Sequence, residues 1–262
     1  MIRVPEKQLG EIGRALALEQ FEDEMVVHLH DFAPRHAAVI GDLGVRRTVR
    51  LGIHRARAYS VTNPGLLRFY VELMLMLGGM FDTDPLQPWA GEILRDPNVP
   101  DEASRIDRLY LRTLWYLETI DGPESAFSIQ AMRNLQRILQ GGHPATDLVD
   151  ERKAIETMAW VYPQRSAYLG EPRLRALLRQ GADEAARLDI ATSEGTALVT
   201  GLMFAMGHGF ASDPLFPWIQ ATLRDAAITD RARRVAKLWR RVEIYVDRAL
   251  LHLEGRRADG QE

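Results

Sequence analysis

A chain of 262 residues, 46% hydrophobic and 26% charged, is long enough to bury a substantial core and too apolar for general disorder. It has no cysteine, which excludes a disulfide framework and a thiolate metal site. A formal charge of -3 and a pI near 6.2 argue against generic affinity for nucleic acid or an anionic membrane.

The opening stretch MIRVPEKQLGEIG has no apolar run of signal-peptide type, and Leu73 to Met80 is too short to cross a bilayer, so the chain reads as cytoplasmic. Ile2 to Val4 reads as a short strand. Leu9, Ile12, Leu16 and Leu18, followed by Met25, Val26 and Leu29, predict an amphipathic helix over residues 6–31. Val45, Val49, Gly52, Ile53 and Ala56 form a second apolar stripe, with Arg46, Arg50, His54 and Arg57 on the opposite face. Asn63-Pro64 suits an N-cap followed by proline at the first helical position, and Leu66 to Leu77 is apolar nearly all round, as in the most buried helix of a bundle. Its counterpart is Thr196 to Met206. Ile106 to Ile120 and Val235 to Leu253 read as closing helices, the latter ending at Gly255. Phe127 to Ile129 reads as a second short strand.

An internal repeat organises these elements. Gly78-Gly-Met-Phe81-Asp-Thr-Asp84-Pro85-Leu86-Gln-Pro88-Trp89 recurs as Gly207-His-Gly-Phe210-Ala-Ser-Asp213-Pro214-Leu215-Phe-Pro217-Trp218, offset by 129 without a gap. Across Gly78 to Asp96, 10 of 19 positions are identical, against roughly one for unrelated sequences of ordinary composition. The same offset pairs Pro34 with Pro163, Arg46 with Arg175, Arg50 with Arg179, Gly52 with Gly181, and Leu73-Met74 with Leu202-Met203. Upstream of Pro34 the register shifts by three, which sets Leu9 and Ile12 beside Leu135 and Ile138. The expected organisation is all-α: a tandem duplication of a helical module, residues 1–125 and 126–254, packed as a pseudo-symmetric bundle or short repeat array, with a flexible tail over 255–262.

Within the repeated string, Asp84 and Asp213 are expected to cap a helix, Pro85 and Pro214 to preset its first turn, and Phe81, Trp89, Phe210 and Trp218 to anchor the core. An acid/base or metal pair at Asp82 and Asp84 is disfavoured because Ala211 stands at the second copy's equivalent of Asp82. His28, His30 and His36, with Asp31, form the densest group of potential metal ligands. Histidines two apart on a helix face different directions, however, and their counterparts are not histidine, so no metal or cofactor is expected. No Walker, Gly-x-Ser-x-Gly, His-Glu-x-x-His or Gly-x-Gly-x-x-Gly motif occurs, and Gly207-His-Gly209 reads as close packing inside a helix. The arginine rows Arg46, Arg50, Arg57 and Arg175, Arg179, Arg187 are candidate surfaces for an acidic partner, against the alternative of a solvated face paired with local carboxylates such as Glu171, Asp183 and Glu184.

Met25-Val-Val-His-Leu29, Arg46 to Ala58, Tyr70-Val-Glu-Leu-Met74 and above all Gly78 to Leu94 resemble a group of uncharacterised helical proteins of proteobacteria encoded near type VI secretion spike, PAAR and effector genes. The resemblance covers roughly residues 20–118 and, more faintly, their second copy. It implies an adaptor or chaperone accessory of a secreted effector, or an immunity protein that neutralises a toxin, and it carries no catalytic residues. The expected function is therefore a non-enzymatic protein-interaction module whose partner is an effector, toxin or spike component. The competing class is a metal-dependent hydrolase using the His28 to His36 region; nucleic-acid binding through the arginine rows is a third.

Overall fold

In the computed structural model, residues 6–141 and 150–258 are described, with the side chains of 6–15, 35 and 252–258 excepted. The architecture is all-α, and no strand occurs among the described residues. In chain order the helices are α1 (Glu6–Phe32), α2 (Pro34–Arg57), α3 (Pro64–Leu77), α4 (Pro88–Leu94), α5 (Glu102–Ile120), α6 (Ala126–Gln140), α7 (Glu151–Val161), α8 (Pro163–Arg187), α9 (Ser193–Met206), α10 (Pro217–Leu223) and α11 (Arg231–Ala258).

Four pairs of helices begin 129 residues apart: α2 and α8, α3 and α9, α4 and α10, α5 and α11. Backbone irregularities recur at the same offset. Gly41 and Gly170 interrupt α2 and α8 with φ of 66° and 71°, Ser60 and Asp189 turn through φ of 58° and 55°, and Gly78 and Gly207 end α3 and α9 at φ of 101° and 92°. Local chemistry sets the boundaries. The Asn63 side chain accepts from Gly65 and Leu66 N–H before α3, Asp101 accepts from Ser104 N–H before α5, and Thr192 from Gly195 N–H before α9.

Tyr70, Leu73, Met74, Phe81, Leu94, Leu109 and Tyr116 fill the first module's core. Leu177, Ile190, Val199, Phe210, Ile219, Val235 and Leu238 fill the second's. A smaller apolar cluster of Met25, Leu29, Val45, Val49 and Ile53 joins α1 to α2. The α2–α3 and α8–α9 crossings are close: a Cβ on Gly52 would lie 2.6 Å from Val71, and one on Gly181 would lie against Thr200.

Four local expectations are corrected. Phe127 to Ile129 lies in α6, not in a strand, because its apolar residues continue at helical spacing through Met132, Leu135 and Leu139. Helix α11 runs through Gly255 to Ala258. Gly207 is the C-cap of α9, and Gly209 lies in the following turn, so neither is inside a helix. Finally, Asp84 and Asp213 each open a β-turn instead of capping a helix, with Gln87 and Phe216 N–H donating to their carbonyls and Pro85 and Pro214 within the turns; it is Pro88 and Pro217 that open α4 and α10. The strand expected at Ile2 to Val4 lies outside the described residues.

Candidate functional site

The repeated Phe-x-x-Asp-Pro string forms the joint between the modules. Asp84 Oδ1 accepts from Leu86 N–H at 2.8 Å, and Asp84 Oδ2 reaches into the second module to accept from His208 N–H at 3.1 Å. Asp213 mirrors it, taking Leu215 N–H at 3.0 Å and, across the joint, Gly79 N–H at 2.7 Å. Gly79 and His208 are themselves 129 apart, so the exchange is reciprocal. Both carboxylates are buried, and burial raises the Asp213 carboxyl above the usual aspartate value despite its N–H donors. A Cβ on Gly79 would lie 2.5 Å from Asp213 Oδ1, so this glycine lets the carboxylate approach.

Aromatic contacts extend the joint. Tyr168 of α8 meets Tyr116 edge-on at 5.1 Å and lies 6.0 Å from the Trp115 ring, and Arg112 donates to the Tyr168 hydroxyl at 3.4 Å. Tyr162 donates to the Ile120 carbonyl at 2.7 Å, and Leu86 is buried with the second module's core. The first copy adds a buried ion pair the second lacks: Arg55 donates to Asp82 through Nε at 2.8 Å and Nη2 at 2.6 Å. Burial and the Asp82 carboxylate push the nearby Tyr59 hydroxyl up to about 12. These groups fasten the loop 78–88 to α2.

Most of the arginine rows are engaged internally. Arg46 pairs with Asp23 at 2.6 Å and Arg50 with Glu22 at 2.8 Å; Arg175 pairs with Glu171 and Glu151, and Arg187 with Glu184. Arg57 and Arg179 are exposed without an ion pair among the described residues. The histidine group is dispersed: His28 bonds Glu72 at 2.6 Å, His30 pairs with Asp42 at 3.0 Å, and His36 is exposed. Among the described residues no three His, Asp or Glu side chains converge as metal ligands. Phe81, Phe210 and Trp89 are core residues, whereas Trp218 is half-buried beside Tyr245.

A groove in the second module was not anticipated. It has a volume of about 600 Å³ and runs along α9 between α7, α8 and α11, with α6 at one side. Met158, Leu178, Trp239 and Val242 contribute to its walls, and Ala197, Gly201 and Ala205 line its floor. The equivalent positions of the first module carry longer side chains. There His28, Arg68 and Glu72 bond one another, with Arg68 Nε 3.2 Å from His28 and 3.1 Å from Glu72. At the 129 offset these three residues become Thr157, Ala197 and Gly201, and Met76 becomes Ala205. Four shorter side chains thus replace longer ones around one strip of helix. Gly201 has no packing reason to be glycine, since a Cβ there would meet nothing within 4 Å. A position-by-position comparison of the two copies would have exposed this difference in the sequence.

The groove can receive apolar side chains, and Arg179 in its lining can meet a carboxylate. Comparison of the chain with protein-family models, curated proteins and solved structures finds no match.

Proposed function

We propose that this chain is a non-enzymatic protein-interaction module that receives apolar side chains of a protein partner in the α9 groove. The observation that carries this reading is the difference between the copies. The fold tolerates His28, Arg68 and Glu72 at these positions in the first module, and the second leaves an apolar groove there. Helix-lined grooves of this kind bind the apolar face of a partner segment through a few anchor residues. The resemblance carried by Gly78 to Leu94 makes a secreted type VI effector the first partner to test, with this chain as its adaptor or chaperone. An immunity protein would use the same groove against a toxin.

The test refills the groove with the first module's own residues. Thr157→His/Ala197→Arg/Gly201→Glu recreates a triad the scaffold already accommodates, so its melting temperature is expected to stay within a few degrees of the parent. A partner co-purified from native cells and identified by mass spectrometry is expected to be lost from this variant and retained by Arg46→Ala on the far module. Undiminished capture by the folded triple variant would refute the groove.

A further inference from the structure

The turn that opens α8 carries a buried charge with no counter-charge. Arg165 is 8% exposed, its Nε bonds nothing, and its guanidinium forms no ion pair or hydrogen bond among the described residues. It lies 5.7 Å over the Phe204 ring. Its charge also acts on the hydroxyls of Tyr116 and Tyr162, which burial raises and the guanidinium draws back down. The carboxylates whose charges reach these hydroxyls are engaged elsewhere: Asp84 accepts from Leu86 and His208 N–H, and Asp121 from the Ser125 and Ser128 hydroxyls. No acidic residue stands in the first turn of α8, and Tyr162 at its N-cap gives the free N–H groups no side-chain acceptor. The positive end of the helix dipole therefore adds to the guanidinium. A buried charge left unpaired is strongly unfavourable, so its presence calls for an anion.

The first module shows that the fold does not require this arrangement. At the 129 offset Arg165 and Ser166 correspond to His36, which is exposed, and Ala37, which packs in the α1–α2 cluster. Ser166 is 5% exposed, and its hydroxyl has no partner. The second module thus buries two unsatisfied polar side chains where the first buries only an alanine. An aromatic wall leads from Arg165 to the surface. Tyr116 meets Tyr168 at 5.1 Å, Tyr168 meets Trp115 at 6.0 Å, and Trp115 is half-exposed. The Tyr116 hydroxyl makes no hydrogen bond among the described residues.

We propose that Arg165 and the Tyr116 hydroxyl bind a carboxylate borne on an apolar group, with that group lying along Tyr168 and Trp115. A carboxylate suits the site better than a phosphate, because its single charge matches the single guanidinium and its two oxygens match the guanidinium fork. The aromatic surround selects the apolar bearer. Phe204 also lines the α9 groove, so the two sites share one residue but offer different chemistry.

Solution NMR of the full chain tests this through the Arg165 Nε–H resonance, assigned by its loss in Arg165→Gln. Two probes separate the sources of the carboxylate: phenylacetate as a free acid, and the tripeptide Leu-Glu-Leu with acetylated and amidated ends as an acidic side chain. A saturable shift with phenylacetate alone supports a small-molecule site, and a shift with the peptide, alone or as well, supports a seat for a partner's side chain. The parent is expected to melt higher with the probe that shifts the resonance. Arg165→Met, which keeps the length and removes the charge, is expected to melt no lower than the parent without a probe and to gain nothing from one. A resonance that answers neither probe overturns the proposal. So does an equal shift with phenylethanol, which lacks the charge, or probe stabilisation retained by Arg165→Met. The resonance reports on Arg165 alone, so this site and partner capture in the α9 groove can fail separately.

Discussion

Asp213→Ala tests the joint between the modules most directly. The carboxylate is 2% exposed and accepts two backbone N–H groups, Leu215 within its own turn and Gly79 across the joint. Truncation leaves both donors without a partner where no side chain can replace it. Each stranded donor costs about 1–3 kcal/mol. Removing an ionised group whose burial is itself unfavourable returns part of this, and we take about 3 kcal/mol as the net loss. At ~2–4 °C per kcal/mol for a chain of this size, the melting temperature should fall by about 6–12 °C. Differential scanning calorimetry reads the shift, and amide exchange at Gly79 should accelerate along with it. Asp225→Ala is the control, because Asp225 makes a similar local turn to Ala227 but pairs with a partly exposed Lys237. A melting temperature within about 2 °C of the parent in Asp213→Ala would show that the exchanged carboxylates do not hold the modules together.

Acidity should affect the same residue in a definite direction. Because burial raises the folded-state pKa of Asp213 above its unfolded value, the ionised form costs stability at neutral pH, and protonation removes that cost. The stability of the parent relative to Asp213→Asn should therefore rise as pH falls through the raised folded-state pKa toward the ordinary value of 3.8; a difference that stays flat in denaturant titrations carried down to that value refutes the assignment. Trp89→Ala should cost about 3–5 kcal/mol in urea unfolding, and Trp218→Ala less, since Trp89 is 6% exposed and Trp218 is half-buried; equal losses would contradict the packing described. Gly201→Ala should stabilise the chain by about 0.5–1 kcal/mol, because a Cβ there meets open space within a helix; a lower melting temperature would mean that the groove is occupied by the protein itself.

Much of the architecture was legible because it is local. Asn63-Pro64 encodes its helix start in adjacent residues, and the 129-residue register foreshadowed the paired helix starts. The aspartates of the repeated string were legible as backbone acceptors, but not in what they accept: the partner of Asp213 lies 134 residues away, and no spacing rule reaches so far. Phe127 to Ile129 was misread because three apolar residues fit either period until Met132 and Leu135 extend the helical one. The arginine rows were visible, yet the carboxylates that meet Arg46 and Arg50 come from Glu22 and Asp23 on the preceding helix, beyond what spacing along α2 can show.

The groove escaped notice for a different reason: it is made by missing atoms. Motif reading looks for chemistry that is present, whereas Thr157, Ala197, Gly201 and Ala205 matter for what they fail to fill. Their meaning comes from the other copy, which holds His28, Arg68, Glu72 and Met76 on the same scaffold and serves as an internal control for what the fold requires. The joint residues Asp84 and Asp213 are kept identical and bond reciprocally, which is the behaviour of positions constrained by assembly. The copies diverge instead along α9 and α5, at surfaces that assembly of the two modules leaves open. Each difference points outward: the second module gains a groove, and the first gains the exposed apolar face of Leu111 and Leu114 where α11 carries Arg240 and Glu243. Packing within the chain gives no reason to place leucine at the exposed positions or glycine at the open one.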